Sequence, residues 1–329
     1  MAIEAINLSK KYQKVTAVED VSFQVAPGET LGLIGTSGCG KTTTLKMLNR
    51  LIEPTSGRIL INGEDVRKRQ PEKLRQSIGY AIQNTGLFPH YTVAENVAVV
   101  PRLLKWKEKR IAERTSTLLE MVGLPPDRFA NRYPRELSGG QQQRVGIARA
   151  LAADPPIILL DEPFGALDRI TRKQIQEEFK QLESLLKKTI VLVTHDVFEA
   201  ATLCDRICLM DRGRVEQIGS PKELIFQPKN DFVRDFFQSN RFQLELEVTV
   251  IADIIKWLKP QDSEEVSREK YQENQSLLQV LESVKKSSGI RISDRNGETI
   301  LTTNCEDLLQ AFYQFKGSRT DPLRGARPN

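Results

Sequence analysis

Eight residues near the start of the chain fit the pattern G-x-x-x-x-G-K-[ST]: Gly35-Thr36-Ser37-Gly38-Cys39-Gly40-Lys41-Thr42. An apolar run at residues 31–34 precedes them and predicts a β-strand, and a helical pattern that ends near Leu51 follows. A glycine-rich turn between a strand and a helix directs backbone N–H groups toward one point. The segment therefore predicts a phosphate-binding loop at a strand–helix junction.

The side chains of this loop predict a site for ATP and Mg²⁺. The helix N-terminus adds a positive dipole end. Lys41 is expected to reach the β- and γ-phosphates, which also makes it a candidate catalytic residue, and the Thr42 hydroxyl is expected to ligate Mg²⁺. The residues assigned to ATP binding are Gly35, Thr36, Ser37, Gly38, Cys39, Gly40, Lys41, Thr42 and Thr43.

Two acidic residues, Asp161 and Glu162, end the apolar run at residues 157–160. Ligand sites in parallel sheets form at such strand ends. Asp161 is expected to hold Mg²⁺ directly or through water, and Glu162 to polarise the water that attacks the γ-phosphorus. The alternative is that both acids only cap the next helix before Pro163.

Periodicity along the chain indicates two domains. The 329 residues are 39% hydrophobic, enough for one large α/β domain and a smaller unit. Apolar runs at residues 157–160 and 190–194 flank an amphipathic helical pattern at 170–186, which predicts a parallel sheet with crossover helices. Residues 93–151 are typical of a helical insert. We place a domain boundary near residue 239, where the pattern changes.

Composition excludes several functional classes. The net charge of +5 comes from interleaved basic and acidic residues, which argues against a nucleic-acid partner and leaves a weak attraction to an anionic membrane open. No apolar run approaches the roughly 20 residues of a membrane-spanning helix, and the N-terminus has no secretion signal. We therefore expect a cytoplasmic location. Four cysteines and two histidines match neither a disulfide framework nor a zinc site.

A third segment narrows the class of protein. Leu137-Ser138-Gly139-Gly140-Gln141 precedes Gln142-Gln143-Arg144, the run Ala-Arg-Ala-Leu at residues 148–151, and then the acidic strand end. A Ser-Gly-Gly turn that opens a helix offers donors and a dipole to an anion, although a plain helix cap has the same residues. In order and spacing, residues 2–237 resemble the ATPase subunits of ABC transporters.

The resemblance implies an α/β fold, the P-loop NTPase fold of ABC type. It includes a mainly parallel core sheet, an antiparallel β edge and a helical subdomain at about residues 84–150. Residues 1–238 would form this nucleotide-binding domain, and residues 239–329 a small α+β accessory domain. Two copies of the chain would form a homodimer that binds ATP between them.

The resemblance also assigns residues to the dimer interface. Ser138, Gly139, Gly140 and Gln141 would contact the γ-phosphate held by the opposite subunit, and Asp168 would touch the partner subunit. For Ser138 and Asp168 the alternative is an ordinary helix cap.

Three further residues gain roles by resemblance. Gln83 would sense the γ-phosphate and Mg²⁺, and so belongs to both the catalytic and the metal-binding candidates. His195, after the run at residues 190–194, would lie beside the γ-phosphate with Glu162. Tyr12 would stack on adenine. The alternatives are a solvated loop glutamine, a structural histidine and a partly exposed strand tyrosine.

Within the family, residues 80–90, 96–97 and 100–104 resemble importers of glycine betaine, choline, carnitine and related osmoprotectants. They lie where the coupling helix of a transmembrane subunit would dock. The resemblance therefore implies two transmembrane permease subunits, an extracytoplasmic solute-binding protein as an indirect partner, and a peripheral position on the cytoplasmic face of the membrane. The transported solute itself never meets this subunit.

The C-terminal region predicts one small α+β module. It contains a helix at 276–284, a strand at 290–293, a turn at 294–297, a strand at 299–302 and a helix at 305–315. This order resembles a single cystathionine-β-synthase-type (CBS-type) module. The polar segment 261–275 is typical of an exposed helix or linker. The alternative is a docking or dimerisation domain that binds no ligand.

Other functions remain as alternatives. An ABC importer for another small solute would have the same motifs. A soluble ABC protein of translation or DNA repair usually has two cassettes or large inserts, whereas this chain has one cassette and no basic arm. A binding protein without hydrolysis is disfavoured because Lys41, Asp161, Glu162 and His195 are all present.

Overall fold

The computed structural model of the protein describes residues 1–83, 86–165, 172, 175–176, 179–180, 187–258, 266–284, 289–294 and 296–319. The chain divides into two compact units, residues 1–218 and 219–329. In the described part, no helix combines the length and apolarity needed to span a bilayer.

Among its described residues, the first unit contains ten strands. They are β1 (Ile3–Tyr12), β2 (Val15–Val25), β3 (Thr30–Gly35), β4 (Ser56–Ile61), β5 (Glu64–Asp65), β6 (Ile78–Ala81), β7 (Ile157–Asp161), β8 (Thr189–Val193), β9 (Arg206–Asp211) and β10 (Arg214–Gly219). Its described α-helices are α1 (Lys41–Leu48), α2 (Pro71–Gln76), α3 (Val93–Leu103), α4 (Glu108–Met121), α5 (Pro126–Phe129), α6 (Gly139–Leu151) and α7 (Val197–Leu203).

Six strands form the core sheet in the order β10-β9-β3-β8-β7-β6. The pairs β9–β3, β3–β8, β8–β7 and β7–β6 are parallel. Every residue of β3, β7 and β8 is buried, which explains why their sequences are continuously apolar rather than alternating. The parallel core sheet predicted from the sequence is confirmed.

A second, antiparallel sheet has the order β2-β1-β4-β5. Its inner face shares one apolar cluster with the core sheet, to which Ile3, Leu8, Leu31 and Leu45 belong. One core therefore supports both sheets and α1. The antiparallel edge is also as expected.

The helical insert follows β6. α3 packs against both α4 and α6. α3 begins with a capping box, because the Thr92 hydroxyl accepts from Glu95 N and the Glu95 carboxylate accepts from Thr92 N. The helices between residues 93 and 151 agree with the helical periodicity of the sequence.

The second unit contains α8 (Pro221–Phe226), α9 (Asp231–Phe236), α10 (Arg241–Val248), α11 (Ile251–Ile254), β11 (Val266–Gln272), α12 (Leu277–Ser283), β12 (Gly289–Ser293), β13 (Thr299–Thr303) and α13 (Cys305–Ser318). β11 is parallel to β12, and β13 is antiparallel to it. The fully buried Glu245 of α10 accepts a hydrogen bond from Arg241 at 3.0 Å and forms an ion pair with Lys316 of α13.

The sequence interpretation of this unit was right for four elements and wrong for one. α12, β12, β13 and α13 lie where a helix, two strands and a helix were expected. The interpretation of residues 261–275 as an exposed helix or linker is wrong for 266–272, which form β11 and pair with β12. Assignment to a CBS-type module stays a prediction.

The compact units divide at 218/219, whereas the sequence places the domain boundary after residue 238. α8 packs against α10, so residues on both sides of the predicted boundary contact each other within the second unit. The division into a catalytic region 1–238 and an accessory region 239–329 stays a prediction about function.

Candidate functional site

The predicted phosphate-binding loop joins β3 to α1, and two glycines fix its path. Gly35 has φ +145°, and a Cβ atom there would lie 1.9 Å from the carbonyl oxygen of Met210. Gly40 has φ +101°, and its Cβ would lie 2.5 Å from the carbonyl oxygen of Ala17. Only glycine fits at these positions, because neighbouring backbone approaches the loop so closely.

The ammonium group of Lys41 lies across this loop. Its Nζ donates to the carbonyl oxygens of Gly35 and Thr36, both at 2.9 Å, and approaches Cys39 Sγ at 3.7 Å. Lys41 is buried. The loop thereby keeps a positive charge at its centre, where a phosphate chain would need it. Thr36 donates from Oγ1 to Asp211 Oδ1 at 2.7 Å, which anchors the loop to the end of β9.

Thr42 and Asp161 form the adjacent part of the site. Thr42 Oγ1 donates to Asp161 Oδ1 at 3.0 Å. Asp161 is only 2% exposed, and burial raises the pKa of its carboxyl, while the Thr42 hydrogen bond and the charges of Lys46 and Lys41 oppose that shift. A buried carboxylate beside a hydroxyl is an oxygen donor set suited to Mg²⁺, so these residues fit the ion that the sequence predicts.

Glu162 lies between two of the other predicted catalytic side chains, Gln83 and His195. Gln83 donates from Nε2 to Glu162 Oε2 at 2.7 Å, and His195 Nδ1 lies 3.4 Å from Glu162 Oε1. The backbone of Glu162 has φ +48°, a conformation that non-glycine residues rarely adopt, and its N–H donates to the carbonyl oxygen of Val193 at 2.9 Å. The strained turn after β7 therefore directs this carboxylate toward residues that follow β6 and β8.

Three residues near the site were missed by the sequence interpretation. Asp211 anchors the phosphate-binding loop. Gln143 of α6 donates to the carbonyl oxygen of Glu162 at 3.4 Å. Thr194 accepts from the backbone N–H of Asp196 at 3.0 Å. Asp211 could have been found, because it ends a strand at the same sheet edge as Asp161. No sequence motif marks Gln143 or Thr194 as a site residue. Each is only close in sequence to a predicted site residue, Gly140 or His195.

The Ser138 turn forms a capping box at the start of α6. Gln141 N donates to Ser138 Oγ at 3.3 Å, and Ser138 N donates to Gln141 Oε1 at 3.0 Å. Ser138 and Gly139 are exposed, and Gly140 and Gln141 are half-buried. Both the helix-cap interpretation and a surface for an opposite subunit agree with this geometry.

The hydrogen bonds and ion pairs of the described residues link Lys41 with its loop, Thr42 with Asp161, and Glu162 with Gln83 and His195. They do not link this group to the Ser138 turn or to Tyr12. Tyr12 is 44% exposed at the end of β1, with Lys10 Nζ 5.1 Å from its ring centroid. Asp168 lies outside the described residues.

A groove of about 340 Å³ lies between the core sheet and the helical insert. Its lining includes Tyr80, Ile82, Phe88, Val99, Val100 and Arg149. The buried Asn96 side chain shapes the neighbouring loop: it accepts from Phe88 N at 2.7 Å and donates to the carbonyl oxygens of Tyr91 and Thr92 at 3.1 and 2.9 Å. This arrangement leaves Phe88 and Tyr91 exposed, with ring centroids 5.3 Å apart.

Comparisons with known proteins identify the family of this chain. A family model described as ABC transporter matches residues 18–165. The glycine betaine/carnitine/choline transport ATP-binding protein OpuCA of Bacillus subtilis is 55% identical over 68% of this chain and 59% of its own length. The glycine betaine uptake system ATP-binding protein YehX of Escherichia coli is 47% identical over 81% of this chain and 87% of its own length.

A solved structure shares its fold with about two thirds of this chain. The dimeric, post-hydrolysis ATP-binding cassette MJ0796 bound to ADP and Pi has a TM-score of 0.62 and 36% identity, covering 66% of this chain and 98% of that one. The chain thus spans about three fifths of OpuCA but most of YehX and of the solved cassette. Because relatives that are 47% and 55% identical match more than two thirds of the chain, the chain belongs to the ABC transporter family.

Proposed function

We propose that the chain is the ATP-hydrolysing subunit of an ABC importer that takes up an osmoprotectant such as glycine betaine, choline or carnitine. The observation that carries this proposal is the position of Glu162, which accepts from Gln83 at 2.7 Å and lies 3.4 Å from His195. A carboxylate held in this way near a phosphate-binding loop is suited to accept a proton from water. OpuCA and YehX, whose names include glycine betaine, support the solute class.

ATP would bind through the loop between β3 and α1. Lys41 supplies a fixed positive charge for the phosphates, and the N-terminus of α1 adds its dipole. Tyr12 is exposed enough to stack against adenine, and Lys10 lies over the same ring. These residues bind and orient the nucleotide, and none of them transfers a proton.

Thr42, Asp161 and Gln83 would hold Mg²⁺ through oxygen atoms. When bound, the ion neutralises charge on the phosphate oxygens. Asp161 is buried against Thr42, so its carboxylate is directed before any ligand arrives. Because this carboxylate is preorganised, metal binding requires less reorganisation of the side chain than it would at a flexible site.

Glu162 would orient the attacking water and accept its proton. The hydrogen bond from Gln83 fixes Oε2, and the neighbouring imidazole of His195 approaches Oε1, so the carboxylate cannot rotate freely. The backbone hydrogen bond from Glu162 to Val193 ties this residue to the end of β8. Positioning of this kind contributes most of the catalysis in phosphoryl transfer.

A second copy of the chain would complete the site. The exposed Ser138 turn presents a helix N-terminus that is suited to an anion bound by another molecule. The dimeric ADP–Pi cassette supports this arrangement. Asp168 is proposed to touch the partner subunit on the basis of the family resemblance alone.

Two transmembrane permease subunits would dock at the groove beside the helical insert. The groove's lining combines apolar side chains from β6 and α3 with the charged Arg149, and the exposed rings of Phe88 and Tyr91 lie on the loop beside it. Exposed aromatic side chains are typical of binding surfaces. The chain would therefore be a peripheral subunit on the cytoplasmic face of the membrane, with the solute-binding protein as an indirect partner.

Two measurements test the proposal. Purified chain should release phosphate from ATP only when Mg²⁺ is present. In the native organism, deletion of the gene should abolish uptake of labelled glycine betaine, choline or carnitine at raised osmolarity. The Glu162→Gln variant should not restore uptake, whereas exposed Glu120→Gln on α4 should restore it. Unchanged uptake of all three solutes would contradict the osmoprotectant assignment, and no phosphate release would contradict the ATPase.

A further inference from the structure

The carboxyl group of Glu199 is buried although nothing in the proposed reaction uses it. It belongs to α7, directly after the His195 segment, and is 5% exposed. Its Oε2 accepts a hydrogen bond from Thr194 Oγ1 at 2.8 Å. Its Oε1 is buried and has no hydrogen-bond partner among the described residues. Because an unpartnered buried carboxyl oxygen destabilises a fold, its presence needs an explanation other than stability.

The Thr194 hydroxyl connects Glu199 to the backbone beyond His195. A hydroxyl has one hydrogen to donate and two lone pairs to accept with. Thr194 donates its hydrogen to Glu199, and it accepts from the backbone N–H of Asp196 at 3.0 Å. Glu199 therefore determines the direction of the hydroxyl, and the hydroxyl fixes the peptide that follows His195.

The backbone is tied on both sides of His195. The backbone N–H of Thr194 donates, at 3.3 Å, to the carbonyl oxygen of Leu33, which belongs to β3. Asp196 Oδ1 accepts from Phe198 N at 2.9 Å and from Glu199 N at 3.2 Å, which starts α7. The His195 side chain itself is 65% exposed, so packing restrains it little. Its approach to Glu162 thus depends on the backbone conformation.

The charged groups around Glu199 agree with a protonated carboxyl at neutral pH. Burial raises the pKa of Glu199 to about 8, and the hydrogen bond from Thr194 lowers it. The negative charges of Asp196 and Glu162 raise this pKa further, whereas the positive charge of Arg172 lowers it. A protonated carboxyl has one oxygen that accepts and one that donates. A glutamine amide has the same arrangement, so Glu199→Gln is the conservative variant.

We infer that Glu199 is a positioning residue for ATP hydrolysis, which holds His195 beside Glu162 through the Thr194 hydroxyl and the Asp196 peptide. This inference rests on the proposed ATPase function. It predicts that loss of Glu199 affects the rate of turnover and leaves nucleotide binding unchanged, because Lys41 and the phosphate-binding loop are not part of this chain of contacts.

The first test compares Glu199→Leu with Glu199→Gln. Leucine removes the acceptor for Thr194 together with the unpartnered oxygen, so we expect a fall in kcat of roughly tenfold, an unchanged KM for ATP and an unchanged or higher Tm. Glutamine should restore kcat to within about twofold of the wild type. A lower rate in a protein that is no less stable would separate positioning from a general structural defect.

The second test is a double-mutant cycle with His195→Ala. If Glu199 acts through His195, then Glu199→Leu should cause little further loss in the His195→Ala background. Additive losses would overturn the inference, as would a Glu199→Leu variant with wild-type kcat.

The third test needs no enzymatic activity. The chain has two histidines, so His195 can be assigned by NMR from the His195→Ala variant. Glu199→Leu should change the chemical shift of the His195 ring, and Glu199→Gln should leave it near its wild-type value. An unchanged His195 signal in Glu199→Leu would overturn the inference. Absence of turnover in the wild type would instead contradict the proposed function.

Discussion

The hydroxyl of Thr42 donates to the carboxylate of Asp161 at 3.0 Å, although 119 residues separate the two in the chain. Thr42 lies in the first turn of α1, which follows β3, and Asp161 ends β7. β8 lies between these two strands in the sheet. Because parallel strands end at one edge of a sheet, the fold brings both residues to the same place. This relationship connects the phosphate-binding loop with the proposed metal site.

Thr42→Val should lower the ATPase rate and raise the Mg²⁺ concentration needed for half-maximal rate, each by roughly tenfold. The change removes an oxygen ligand and leaves the buried Asp161 carboxylate without its Thr42 hydrogen bond. Phosphate release measured across a Mg²⁺ titration checks this. Thr44→Val is the matched control, because the buried Thr44 hydroxyl has no partner among the described residues. An equal effect of both changes would argue against a metal role for Thr42.

Glu162→Gln should lower kcat by about 100-fold or more while ATP binding is retained, because the amide keeps the shape of the side chain but cannot accept the proton of water. We also expect this variant to accumulate an ATP-bound dimer. Phosphate release and sedimentation with Mg-ATP measure both effects. Turnover at the wild-type rate would assign the role of general base to another residue.

Gly35→Ala should destabilise the first unit by roughly 3 kcal/mol, because the new Cβ would lie 1.9 Å from the carbonyl oxygen of Met210. Gly63→Ala is the control. Gly63 also has a positive φ, +78°, but a Cβ there meets no atom within 4 Å, so only the backbone strain of about 1 kcal/mol remains. Thermal unfolding followed by circular dichroism measures both. Similar losses of stability in the two variants would show that the backbone around Gly35 shifts to relieve the contact with Met210.

Much of the site was predictable because short segments carry it. The loop from Gly35 to Thr42 and the two acids at the end of β7 are contiguous motifs, and their positions relative to strands and helices follow from periodicity. The Gln83–Glu162–His195 arrangement was expected only from family resemblance, because these residues come from three separate chain segments. Nothing local in the sequence gives the 2.7 Å contact of Gln83 with Glu162.

β11 and Glu199 show why the remainder could not be predicted. β11 is polar, and its pairing with β12 depends on residues distant in sequence. The burial of Glu199 depends on how closely α7 packs on β3. A Cβ on Gly32 of β3 would lie 2.7 Å from Sγ of Cys204, the residue after α7, and 3.8 Å from Cβ of Ala200 in α7, so the C-terminal end of the helix approaches the strand as closely as glycine allows. A glutamate in a short helix otherwise predicts an exposed side chain.

The stability of the wild type relative to Glu199→Gln should fall as the pH rises from about 5 to 8. Burial raises the folded-state pKa of Glu199 to about 8 from its ordinary value of 4.5. The folded state therefore holds this proton more tightly than the unfolded state. The resulting stabilisation is fully present below the pKa of the unfolded state and is lost as the pH rises to the pKa of the folded state. The limiting slope is about 1.4 kcal/mol per pH unit. Chemical unfolding at several pH values checks this, with Glu120→Gln as control, and a difference independent of pH would contradict the shift.

Removal of residues 239–329 should leave basal ATP hydrolysis largely intact, because every proposed catalytic residue lies before residue 196. The cut has a structural cost, since Phe226 of α8 packs edge-to-face against Phe315 of α13 at 5.5 Å and would become exposed. Phe226→Ser in the truncated chain should therefore reduce aggregation without changing kcat. We also expect weaker dimerisation without ATP, measured by sedimentation. A soluble, folded truncation that binds no nucleotide would show that residues 239–329 belong to the catalytic domain.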